Sequence, residues 1–267
     1  MQTKKQMKYL NDVNYKDCVG KVFKSNSSGD FKILKYNDTA NVDIQFLNTG
    51  FETVARLGSI RNGEVKDPRS PSVFGVGISG TKYPIRVNGR NTKEYALWCD
   101  MLRRCYSDTF QKKHPTYKDC EASENFKSYE YFYEWCNEQV GVGNEGNESP
   151  FHLDKDLLIK GNKVYSEDSC IFIPSEINSL LIKRTSLRGK CLIGVYWDKA
   201  KKAFVAMVSK NKGEQEYLGF FKTEIGAFNA YKEAKESFIK EQAEKWKGKI
   251  DDRAYNALMN YTVGITD

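Results

Sequence analysis

Between Phe151 and Leu181 the chain gathers the residues best suited to chemistry. One of its two histidines, His152, stands two residues before Asp154, with Lys155 and Asp156 directly after. Ser169 opens an apolar run, Cys170-Ile171-Phe172-Ile173, and Asn178 follows the pair Pro174-Ser175. Asp and Asn oxygens are hard donors that suit Mg2+ or Mn2+ better than zinc. Phosphodiester hydrolysis with one metal ion needs such donors, a base to activate water and a group to orient the base. Asp154 and Asn178 are the candidate ligands. A plainer reading makes Asp154 and Asp156 turn and salt-bridge residues.

The elements that must position these groups are a strand through His152 and Asp154, a turn at Gly161-Asn162, the strand Cys170 to Ile173, and a helix opened by Pro174-Ser175. Residues two apart on a strand share a face, so His152 and Asp154 are expected side by side. Strand, turn, strand and helix is the order of a small hairpin-plus-helix metal site.

In spacing and in part in identity, this stretch resembles the HNH endonuclease family. Asp154-Lys155 stands at the family's first pair, Ser169 at its middle Asn, and Asn178, nine residues after Ser169, at its closing ligand. The resemblance implies that Asp154 and Asn178 hold the metal. The wording Leu-Asp-Lys-Asp and Gly-Asn-Lys-Val-Tyr-Ser is similar to that of phage-encoded members, which implies a bacteriophage origin and a possible homing role. Two positions depart from the pattern. Lys155 replaces the family's base His, and Ser169 replaces its Asn. A lysine needs a strongly lowered pKa to act as a base, which a nearby cation and partial burial favour. His152 is the second candidate base, and a degenerate, inactive site is the third reading.

Upstream, residues 1–70 are expected to form a small β-barrel of the SH3 or Tudor kind. Lys21-Val22-Phe23, Phe31 to Leu34, Val42 to Phe46 and Phe51 to Val54 alternate between polar turn clusters. Lys66 to Pro71 reads as a linker. The glycine run Gly75 to Gly80 lacks the lysine and following helix of a phosphate-binding loop, and reads as a flexible connection. Residues 71–188 are expected to hold two flanking helices and the hairpin-plus-helix unit. Thr92 caps the first helix, with Leu97, Trp98, Met101, Leu102 and Cys105 on one stripe. The second covers Tyr129 to Val140, with Phe132, Trp135 and Cys136 sharing a face. His114 lies before a proline in a polar loop between them, where a catalytic role is the weaker alternative.

Residues 189–267 read as three strands and a helix. Gly194 to Trp197, Ala203 to Val208 and Glu216 to Phe221 are the strands, and Thr223 caps a helix whose Ala227, Ala230, Tyr231, Ala234 and Phe238 repeat at helical spacing. Gly194-Val195, Phe204, Ala206, Val208, Leu218-Gly219, Phe221, Thr223, Ala227 and Ala230-Tyr231 make this part similar to the plant Apetala and ethylene-response-factor DNA-binding domain. The resemblance implies a three-stranded antiparallel sheet laid in the major groove of double-stranded DNA. The family's base-reading arginines are replaced, for instance at Tyr196 and Asp198, so no sequence preference carries over. Lys199, Lys201, Lys202, Lys210 and Lys212 are the candidate phosphate contacts.

Charge agrees with a polyanion partner at this end. Of the net +7, Lys183 to Lys249 holds sixteen Lys or Arg against eight Asp or Glu, leaving the rest about neutral. The seven cysteines include no C-x-x-C pair, which argues for reduced, packed thiols over a zinc knuckle. No run approaches the roughly 20 apolar residues of a membrane span, and no signal core follows the basic start. The expectation is a cytoplasmic α+β protein, monomer or homodimer: an HNH-type endonuclease using Mg2+ or Mn2+ and positioned by its C-terminal domain. The rival is a catalytically inactive DNA-binding protein, and a weaker third reading is an interaction protein.

Overall fold

The computed structural model describes residues 15–142, 150–182, 190–210 and 214–265. The chain divides into two compact units, residues 1–134 and 135–267. The expected boundaries at 70 and 188 fall inside the first and second units respectively.

In the first unit, β1 (Val22–Lys24), β2 (Asp30–Tyr36), β3 (Val42–Phe46) and β4 (Glu52–Ala55) form an antiparallel meander in sequence order. Alternation puts Phe31, Ile33, Val42, Ile44 and Phe46 on one face, where all are buried. The expected barrel does not close among the described residues. Helix α1 (Leu57–Asn62) instead lays Leu57 and Ile60 against that apolar face. The helix covers what strand closure would otherwise have covered.

The expected linker is a pinned corner. Asp67 is 1% exposed, and its carboxylate accepts hydrogen bonds from the Thr49 and Ser70 hydroxyls and the Arg69 backbone N–H. The glycine run is likewise not a loose connection. Gly77 closes a backbone turn on Val73, and a Cβ there would meet Leu102 at 2.5 Å and the Trp98 ring at 2.8 Å. Glycine is needed for that close approach.

A short hairpin of β5 (Arg86–Val87) and β6 (Arg90–Asn91) precedes α2 (Lys93–Tyr106). Thr92 caps α2 by accepting from the Tyr95 N–H, and of the expected stripe Trp98, Met101, Leu102 and Cys105 are buried while Leu97 is only half-buried. The short α3 (Asp108–Lys113) and the strand β7 (Glu121–Ala122) follow. His114 packs against Phe110, with ring centroids 4.4 Å apart. Helix α4 (Tyr129–Glu138) contains the division between the two units.

The second unit contains the antiparallel pair β8 (Phe151–Asp154) and β10 (Ile171–Pro174), with the two-residue strand β9 (Val164–Tyr165) between them in sequence. Helix α5 (Ser175–Leu181) follows directly. Next come β11 (Val195–Asp198), β12 (Ala203–Ser209) and β13 (Gln215–Phe221), an antiparallel sheet in that order. Helix α6 (Glu224–Trp246) packs Ala227, Phe228 and Tyr231 on Ala206 and Val208 of this sheet. A further helix, α7 (Asp252–Met259), capped by Asp251, buries Ala254 and Leu258. Glu176 of α5 accepts hydrogen bonds from Trp246 Nε1 and Lys245 Nζ, and the edge of Trp246 meets Phe151. The far end of α6 thereby fixes both β8 and α5. No helix among the described residues is long and apolar enough to cross a membrane.

Candidate active site

Strand pairing sets the site. Register matches His152 with Ile173 and Asp154 with Ile171. All four residues of β10 are buried, whereas His152 is exposed and Asp154 partly so. Pro174 ends the strand, and Ile177 and Leu180 bury one face of α5, which leaves Asn178 beside β8. The Asn178 side-chain amide lies 3.3 Å from His152 Nδ1. Helix and strand therefore bring together two residues 26 positions apart in the chain.

Asp154 does local work as well. Its Oδ1 accepts the backbone N–H groups of Asp156 and Leu157 at 2.9 and 2.7 Å, closing the turn after β8. Burial pushes its carboxyl up from the usual range, and these two N–H donors act against that rise. Among the described residues Oδ2 makes no hydrogen bond, so it is the atom left for a ligand. The described residues contain no group of three His, Cys, Asp or Glu spaced to hold a metal. Asp154 and Asn178 offer instead a carboxylate oxygen and an amide oxygen, the hard donors that suit a divalent cation completed by water, with the His152 imidazole beside Asn178.

Lys155 points elsewhere. It is 6% exposed, and its Nζ donates to both Asp156 carboxylate oxygens at 2.8 Å and to the Asn162 carbonyl at 2.6 Å, beneath the Tyr165 ring. An ammonium has three donors, and all three are engaged. Asn162 completes the clasp: its amide donates to the Lys155 and Val164 carbonyls and accepts from the Val164 N–H. The sequence marked Asn162 only as a turn residue, from the pair Gly161-Asn162, and Gly161 does take the turn conformation φ +77°. Its side chain organises the whole loop.

Ser169 is buried in a tight turn. Its hydroxyl donates to the Val164 carbonyl at 2.7 Å and lies 2.9 Å from the Ser166 hydroxyl. None of these contacts reaches His152. The neighbouring Cys170 thiol is pushed up to about 12 by burial, which makes it an inert core group.

Among the candidate DNA contacts, Tyr196, Lys199, Lys201 and Lys202 are exposed. Asp198 is committed to the β11–β12 turn, accepting from the Ala200 and Lys201 N–H groups. Lys210 is ion-paired with Glu216 at 2.8 Å and leans over Phe238. Lys212 lies outside the described residues. Comparison of the chain with protein-family models, curated proteins and solved structures found no match.

Proposed function

We propose that the chain is a metal-dependent DNA endonuclease of the HNH type, phage-borne, with its site on β8 and α5. The observation that carries this reading is the contact between His152 and Asn178, with Asp154 on the same strand face. Asp154 Oδ2 and Asn178 Oδ1 would hold Mg2+ or Mn2+, whose bound charge would stabilise negative charge developing on the phosphate. His152 is the base in place of Lys155, whose donors are saturated. Placed with Nδ2 toward the ring, the Asn178 amide selects the tautomer protonated at Nε2. The isosteric orientation, with Oδ1 accepting from Nδ1–H, frees Nε2 to take a proton from water, and the second lone pair of Oδ1 still faces outward. The base role uses this second orientation. Lys155 and Asn162 hold the loop that sets the Asp154 turn.

A second reading is a DNA-binding protein with a degenerate site. It is favoured by Asp154 Oδ1 and Lys155, both of which serve the loop itself. Calorimetric titration with Mn2+ separates the two. The endonuclease reading requires saturable binding that Asp154→Ala and Asn178→Ala each weaken at least tenfold. DNA binding without any Mn2+ heat supports the second reading and counts against the first.

A further inference from the structure

The sheet of the second unit has two faces of different character. One packs on α6 through Phe204, Ala206 and Val208. On the other, register aligns Tyr196, Val205 and Phe220 in one cross-strand row, and Met207 and Tyr217 in the next. Val205 is fully buried beneath its neighbours, yet Tyr196 is 47% exposed and Tyr217 and Phe220 are 50% exposed.

The placement of these rings depends on an irregularity. Tyr217 and Phe220 are three residues apart, a spacing that puts side chains on opposite faces of a regular strand. Here the register skips Leu218 between the Ala206–Gly219 and Met207–Tyr217 pairs, and Gly219 takes φ +129°, a backbone conformation that L side chains rarely adopt. The bulge turns both rings outward, 5.5 Å apart and edge to face.

The polar surroundings are cationic. Register puts Lys199, Lys201, Lys202 and Lys222 at one end of this sheet, all exposed. None pairs with a carboxylate among the described residues. Reading a duplex through its major groove requires hydrogen-bonding side chains aimed at base edges. The middle of this face offers the rings of Tyr196, Tyr217 and Phe220 with Val205 and Met207; Asp198, tied up in the β11–β12 turn, and the pair Ser209–Gln215 lie toward its two ends, and no arginine stands among its outward positions. Ring faces recognise base faces, which a duplex conceals and an unpaired strand exposes.

We propose that the outward face of the β11–β12–β13 sheet holds single-stranded DNA, its bases stacked on Tyr196, Tyr217 and Phe220 and its phosphates drawn to Lys199, Lys201, Lys202 and Lys222. This rests on the DNA reading given above and changes the bound form at the sheet from duplex to an unpaired strand. The nuclease would then engage DNA where it is locally open.

The test is fluorescence anisotropy on the full chain in EDTA, which prevents cutting, with a labelled strand, its duplex and an abasic strand of equal length. The intact strand is expected to bind at least tenfold tighter than the duplex. Tyr217→Ser and Phe220→Ser should each weaken strand binding about tenfold while leaving the duplex within twofold. Tyr217→Phe should retain wild-type affinity, and the abasic strand should bind as weakly as the ring variants. Duplex bound as tightly as the strand overturns the proposal and leaves the DNA reading standing. So does strand affinity unmoved by the ring substitutions, provided the melting temperatures match. Binding of neither form overturns the proposal together with the DNA reading.

Discussion

Substitution of Lys155 by Met separates a clasp from a base. The Lys155 side chain is 7% exposed and that of Asp156 is 55% exposed. Removing the ammonium therefore leaves Asp156 free to regain water, and the group that loses its partner indoors is the Asn162 carbonyl. Met keeps most of the apolar stem beneath Tyr165. A hydrogen bond involving a charged group contributes ~1.5–3 kcal/mol, and the rehydration of Asp156 places the loss in the lower half of that range, about 2 kcal/mol. For a chain of this size that lowers the melting temperature by about 4–8 °C. Chemical denaturation and thermal melting of Lys155→Met, followed by circular dichroism, read the effect directly. An unchanged melting temperature with DNA cleavage abolished would refute the reasoning and return the base role to Lys155.

Three further outcomes follow from the same contacts. Asp154 has a folded pKa raised above its unfolded value, so its contribution to stability is present below pH 3.8 and is lost as pH rises through the folded pKa; Asp154→Asn, whose Oδ1 still closes the turn, should be more stable than wild type at pH 7 and equal to it in acid by denaturant titration. Lys235 on α6 is lowered to about 8 by burial, so its contribution is present above 10.5 and lost as pH falls through about 8. Lys235→Met should gain about 1 kcal/mol at pH 7, the shift being discounted for partial exposure, and should abolish the rise in stability that wild type shows from pH 8 to 10; equal slopes in the two proteins would contradict this. Gly77→Ala drives a methyl group into Trp98 and Leu102 and should cost ~1–3 kcal/mol, measured as a lower denaturation midpoint at unchanged m-value.

Local patterns were legible in the sequence where the cause is itself local. The alternation of Phe31, Ile33, Val42 and Ile44 fixes a sheet face, and Thr92 starts a helix whose Trp98 and Met101 turn inward. Closure of the first sheet was not legible, because it depends on whether a strand or α1 covers Ile44 and Phe46. The tightness of Gly77 comes from a helix about twenty residues later, and no glycine announces which side chain will press on it. At the candidate site, spacing was enough to place His152 and Asp154 on one face. The partners of Lys155 were hidden because Asn162 offers its backbone carbonyl, a group that every residue carries. The pairing of Tyr217 with Phe220 was hidden for another reason: a bulge at Gly219 reverses the parity that alternation assumes. Helix α7 passed unread although Asp251, Ala254 and Leu258 spell a cap and a buried stripe.

Cutting of supercoiled DNA by the intact chain, with Mg2+, Mn2+ or EDTA, tests the central claim most directly when His152→Ala and Lys155→Met are run beside it. The account predicts metal-dependent nicking that His152→Ala slows by about a hundredfold or more, while Lys155→Met still cuts below its lowered melting temperature. Nicking at the full rate in His152→Ala, or DNA bound yet uncut with either metal, would contradict it.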